Sequence, residues 1–133
     1  MGGLAGDPRK YYVYIVKVEG KVRYIGSGSK KRYLHAVSGT SSCKQLNEDF
    51  LAGKFMEVFI FSENLPEDVA RRYENDLIYS CKEDFMGIYN KNVSAGGVYF
   101  DDFLAFCPKY PIMMAKNAAK FAPYLYRGFI DYE

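Results

Sequence analysis

The chain predicts an α+β fold, a small three-stranded and mainly antiparallel sheet flanked by helices, with a helical C-terminal extension. Three observations carry this. Tyr11–Val18 (YYVYIVKV) and residues 22–25 are rich in aromatic and β-branched side chains, and only the polar Glu19-Gly20-Lys21 separates them, which reads as a β-hairpin. Residues 55–61 (FMEVFIF) have the same character and form a third strand between two helical patterns. No βαβ unit repeats, so helices cover one compact sheet rather than alternating with its strands.

After Gly26, Ser27-Gly28-Ser29 reads as a loop, leading into a helix over residues 30–38 with Gly39 in the position past its end. Ser41 or Ser42 suits the cap of a second helix, which runs to Ala52 and stops at Gly53. Asn64 with Glu67 three residues on has the form of a capping box, and Pro66 fits the first turn of a third helix ending near Cys81. Val69, Ala70, Tyr73, Leu77 and Ile78 form its apolar stripe. Residues 89–97 are a polar, glycine-rich loop. Two helical pieces, 100–106 and 112–121, follow and are broken by Pro108 and Pro111.

The 133 residues divide into a tail at 1–9, rich in Gly, Ala, Asp and Pro, a core at 10–98 and a helical extension at 99–133 packed on that core. With 49% hydrophobic and 17% aromatic residues, the core is well supplied with apolar side chains, which excludes a disordered chain. The net charge of +2 is too small to signal nucleic-acid binding by itself. Its distribution says more, because residues 9–32 hold eight Lys or Arg against the single acid Glu19. Cys43, Cys81 and Cys107 are odd in number and far apart, so they read as reduced thiols rather than a zinc site or disulfide scaffold. No apolar run approaches the ~20 residues of a membrane span, and no signal peptide opens the chain. The expected location is cytoplasmic.

Several side chains are suited to phosphate chemistry. Tyr14 and Tyr24 stand on the two arms of the hairpin, and a phenol orients water or contacts phosphate. Arg32 and His35 are three apart on one helical face, with Lys31 four before His35. A guanidinium clamps phosphate oxygens in pairs, and an imidazole exchanges protons near neutrality. At 100° per residue Glu74 shares an arc with Ala70, Leu77, Ile78 and Cys81, so a carboxylate falls on the apolar side of the third helix. Such burial calls for a salt bridge or a cation such as Mg²⁺. Asn90 and Asn92 lie in the glycine-rich loop, where either satisfies a turn or reaches the carboxylate region.

The order of these features resembles the GIY-YIG nuclease superfamily. Tyr24-Ile25-Gly26 is the second triplet intact, Tyr12-Val13-Tyr14 stands for the first, and the likeness covers residues 12–97. The resemblance implies a metal-dependent endonuclease that hydrolyses DNA phosphodiester bonds with one Mg²⁺ or Mn²⁺ ion per site. It implies that Tyr14 helps activate the attacking water and that Tyr24 lies near the scissile phosphate. Arg32 would steady that phosphate, His35 would position water or act as base, and Glu74 would ligate the metal. Asn92 fits the family's asparagine, with Asn90 as competitor, and Lys30, Lys31 and Asn90 join the substrate-binding surface. The family's Arg and His are commonly four apart, so Lys31 competes with Arg32 for the arginine position.

Two other readings fit the same residues: a catalytically silent nucleic-acid-binding module, and a small protein-interaction domain. No separate recognition domain is present in the sequence. Target choice would then rest on the chain's own loops, on a homodimer or on a partner protein.

Overall fold

The computed structural model describes residues 9–91 and 97–117. Its architecture is α+β, with a four-stranded antiparallel sheet in the order β2-β1-β3-β4. The strands are β1 (Tyr11–Val18), β2 (Lys21–Ser29), β3 (Met56–Leu65) and β4 (Met113–Ala115). A 3-10 helix (Arg32–Val37) and α1 (Lys44–Leu51) lie between β2 and β3, and α2 (Glu67–Glu83) follows β3. Among the described residues no helix is long and apolar enough to cross a membrane.

β1 is central and covered on both faces, which is why its sequence is nearly continuous in apolar residues. Side-chain alternation divides it cleanly. Tyr12, Tyr14, Val16 and Val18 face the cluster containing Val37 and Leu46, whereas Val13 and Ile15 pack with Ala70, Leu77 and Cys81 of α2.

Several elements differ from those the sequence predicts. Ser27-Gly28-Ser29 is not a loop: it continues β2, with Ser27, Gly28 and Ser29 opposite Val13, Tyr12 and Tyr11. The segment expected as a helix over 30–38 is a 3-10 helix instead. Lys30 sits at φ +56°, and the Tyr12 hydroxyl pins the entry by donating to the Lys30 carbonyl (2.9 Å) and accepting from the Tyr33 amide (3.2 Å). Ser41 and Ser42 do not cap α1; the residue before it is Cys43, whose amide donates to Ser41 Oγ at 2.9 Å. The capping box at Asn64 does not form, because β3 runs on to Leu65 and Pro66 precedes the first turn of α2. Tyr73, expected in the apolar stripe, is 40% exposed.

The largest difference lies in the extension. Residues 100–106 give only a short 3-10 turn, Phe103–Phe106, and 113–115 form a fourth strand rather than a helix. Met113 and Ala115 point inward and Met114 outward, a period of two. An open edge of β3 offered Ile112 a partner, its amide donating to Val58 at 2.8 Å, and this outweighed the helix propensity of Met, Ala and Lys. The expected helical residues 118–121, the expected tail up to residue 8 and Asn92 lie outside the described residues.

Candidate active site

β2 is an edge strand, and its outer side shapes the site. The Asn90 side chain lies against the Ile25 backbone, accepting from its amide at 2.9 Å and donating to its carbonyl at 2.8 Å. The Tyr89 amide donates to the Arg23 carbonyl at 2.5 Å, and Arg23 Nη1 donates back to the Gly87 carbonyl at 2.9 Å. Residues 87–90 thus complete the edge of the sheet beside Tyr24-Ile25-Gly26. Asn90 thus clamps the β2 backbone through both polar atoms of its amide. Asn90→Ala leaves an amide and a carbonyl unpaired, at about 2–4 kcal/mol. Urea denaturation should show that loss as a lowered midpoint at unchanged slope.

Beyond this clamp a cleft of about 480 Å³ opens at the β2 edge, lined by Tyr14, Tyr24, Arg32, His35 and Glu74 among others. Two glycines give it shape. Tyr14 lies opposite Gly26, and a Cβ at Gly26 would come within 2.4 Å of Tyr14 Cζ. Two residues on, a Cβ at Gly28 would come within 2.8 Å of Arg32 Cδ. One face of β2 is thus bare at alternate positions, where the Tyr14 ring and the Arg32 stem lie flat against backbone. The Tyr14 and Tyr24 rings are neighbours, with centroids 6.3 Å apart.

The 3-10 geometry explains why Arg32 and His35 both reach this cleft. Residues i and i+3 eclipse in such a helix, so a spacing of three suffices where an α-helix would offset them. Arg32 rather than Lys31 lines the cleft, and Lys30 and Lys31 are exposed away from its lining. His35 Nδ1 lies 2.9 Å from Thr40 Oγ1, which is itself 3.0 Å from Ser38 Oγ. Its other ring nitrogen has no hydrogen-bond partner among the described residues.

Glu74 enters from α2 on the opposite face of the strand. Period two puts Ser27 on that face with Ile25, and Ser27 Oγ donates to Glu74 Oε1 at 2.5 Å. No salt bridge reaches Glu74 among the described residues. Arg71, one turn earlier, is paired with Glu67 at 2.7 Å instead. Burial raises the Glu74 carboxyl above its ordinary value, opposed by the Ser27 hydrogen bond and the Arg71 charge. Burial, followed by the Glu74 charge, raises Tyr24, and burial with neighbouring phenols raises Tyr14 further still, so both remain protonated phenols at neutral pH.

Of the predicted site residues, Tyr14, Tyr24, Arg32, His35 and Glu74 share one cleft. Lys30 and Lys31 do not line it, and Asn90 serves the backbone. Ser27, Gly28, Thr40 and Arg71 were missed. Ser27 and Gly28 carried a readable signal, since a strand prolonged past Gly26 alternates them toward Glu74 and Arg32. Of the basic cluster over residues 9–32, Arg23 is spent on the Gly87 carbonyl and Lys17 lies over the Phe59 ring, 4.8 Å from its centroid.

Among the described residues no three His, Cys, Asp or Glu side chains gather into a metal cage. Glu74 alone offers an anionic oxygen in the cleft. That donor set fits a hard cation such as Mg²⁺, which keeps several waters and takes substrate oxygens alongside one or two carboxylates. No protein-family model, curated protein or solved structure matches the chain.

Proposed function

We propose that the protein is a divalent-metal-dependent endonuclease that hydrolyses DNA phosphodiester bonds, in line with its resemblance to GIY-YIG nucleases. The observation that carries this is Glu74, a half-buried carboxylate with no cationic partner within salt-bridge distance among the described residues, lining one cleft with Arg32 and two phenols. A stabilising core has no use for such a charge, whereas a cation-assisted phosphoryl site does.

Glu74 would hold Mg²⁺ or Mn²⁺, which when bound supplies Lewis acidity toward the phosphate and leaving oxygen. The chain's own residues do the rest. Arg32 presents its fork to the non-bridging oxygens, where negative charge builds up as the bond breaks. Its stem is held against Gly28, so the guanidinium is placed before substrate arrives. Tyr14 and Tyr24, kept as phenols, donate to or accept from a water and the phosphate and fix their orientation. The unpartnered nitrogen of His35 accepts the proton of the attacking water, with the ring held at Nδ1 by Thr40.

Arg32→Ala is expected to lower kcat about 100-fold, the usual effect of losing one preorganised donor to the developing charge. Arg32→Lys should recover only part of it, because a point charge lacks the two-pronged geometry. Initial rates on supercoiled, linear and branched DNA, with Mg²⁺ and with chelator, test both. Cleavage that persists in chelator would remove the metal from the proposal, and salt-sensitive binding without any cleavage would favour a silent nucleic-acid-binding module.

A further inference from the structure

The cleft does not end at Glu74. A second cavity of about 340 Å³ shares Tyr24, Ser42 and Glu74 with it and continues past the other side of these residues toward Lys44, Gln45 and Lys91. The two cavities form a groove with Glu74 at the junction rather than at its end. One arm carries Arg32, His35 and Arg71, and the other carries Lys44 and Lys91.

The second arm has no acid in its lining other than the shared Glu74. Lys44 and Lys91 are exposed, and neither enters a salt bridge among the described residues. Lys44 opens α1, and Lys91 directly follows the Asn90 clamp, so the two lysines reach this arm from separate parts of the chain. Of the neutral polar groups nearby, Tyr89 Oη donates to Asp49 at 2.6 Å and Asn90 pairs with Ile25, while Ser42 and Gln45 add uncharged hydrogen-bonding groups to the lining. Apart from the shared Glu74, the charged groups in this arm are cationic.

We infer that this second arm is a flanking-phosphate subsite in which Lys44 and Lys91 hold a phosphate of the same nucleic-acid strand that crosses Glu74. The inference rests on the proposed phosphodiester chemistry and deepens it. A strand occupying both arms has nucleotides on each side of the bond at Glu74, so the preferred substrate is an internal bond of a polymer rather than a terminal or small phosphodiester. The phosphate-binding lysines are then Lys44 and Lys91 in place of Lys30 and Lys31.

The test is a salt titration of binding to a fluorescein-labelled duplex of random sequence, followed by polarisation in EDTA so that the strand stays uncut. Each lost phosphate contact lowers the slope of log K against log salt by about 0.9. Lys44→Ala/Lys91→Ala removes the one phosphate the two lysines share, so it should flatten the slope by about 0.9 and weaken binding about fivefold near 150 mM salt. Lys44→Arg/Lys91→Arg should retain the wild-type slope, and Lys21→Ala, at the start of β2, serves as the distant control. An alanine double variant with the wild-type slope overturns the subsite. Cleavage by the wild type in Mg²⁺ is scored separately. A protein that cuts but keeps its slope on losing both lysines retains the nuclease proposal and loses this one. A protein that binds through these lysines without cutting does the reverse.

Discussion

Glu74→Gln is expected to abolish metal-dependent cleavage and, at the same time, to raise the melting temperature at neutral pH. These two effects have the same origin. Glu74 is held in a partly desolvated position, and its carboxyl is raised above the ordinary 4.5 chiefly by burial. A raised folded-state value means that the fold prefers the protonated form. The associated stability is fully present below about pH 4.5 and is lost as pH rises through the folded value. Gln keeps an acceptor for Ser27 and carries no charge, so its advantage over the wild type should grow between pH 4 and pH 7. Calorimetric melting across that range reads the trend directly. A variant less stable than wild type at pH 7 would mean that the charged hydrogen bond to Ser27 outweighs desolvation, and the carboxylate would then need no cation to explain it. Cleavage should fall by about a thousandfold or more, since a Lewis-acidic ion contributes several kcal/mol and each 1.36 kcal/mol is tenfold in rate. Mg²⁺ should raise the wild-type melting temperature and leave that of Glu74→Gln unmoved, as follows if the ion binds the folded state through this side chain.

Gly26→Ala is the second large effect, and it acts through shape rather than charge. The added methyl would clash with the Tyr14 ring, with Cζ, Oη and Cε1 as its nearest neighbours. Tyr14 is 6% exposed and packed between Tyr12 and Tyr24, so the ring has little room to move aside. Overpacking of this kind costs about 1–3 kcal/mol, and a displacement of about 1 Å at the chemistry costs about 100-fold in rate. A double-mutant cycle with Tyr14→Ala isolates the clash. Removing the ring should relieve it, so the stability loss of Gly26→Ala shrinks in that background. Strict additivity would show that the glycine serves β2 in some other way.

These two positions also show how much could be read in advance. Tyr14, Tyr24 and Gly26 were legible because strand alternation and hairpin pairing are local, and β1 and β2 are joined by a turn. Glu74 was legible as an acid on an apolar helical face, although the partner that replaced a salt bridge, Ser27, was hidden by reading residues 27–29 as a loop. The cost of that one boundary was the site's floor, since Gly28 and Ser27 both lie beyond it. Arg32 and His35 were expected on one side for an incomplete reason: their shared side follows from a 3-10 helix that Tyr12 pins from a neighbouring strand. Asn90 could not be understood from the sequence, because its role is to satisfy Ile25, 65 residues away. β4 was misread for a related reason. Met113, Met114 and Ala115 suit a helix locally, and only the open edge of β3 made them a strand.

In the proposed reaction Glu74 is the group through which a divalent cation would promote hydrolysis. Its most direct test is the rate of supercoiled-plasmid nicking against Mg²⁺ concentration, for wild type and Glu74→Gln at matched folded concentrations. The expected result is a saturating rise for the wild type, none in chelator, and a flat baseline for the folded variant. Equal nicking by the two proteins, or a wild-type rate indifferent to Mg²⁺, would contradict it.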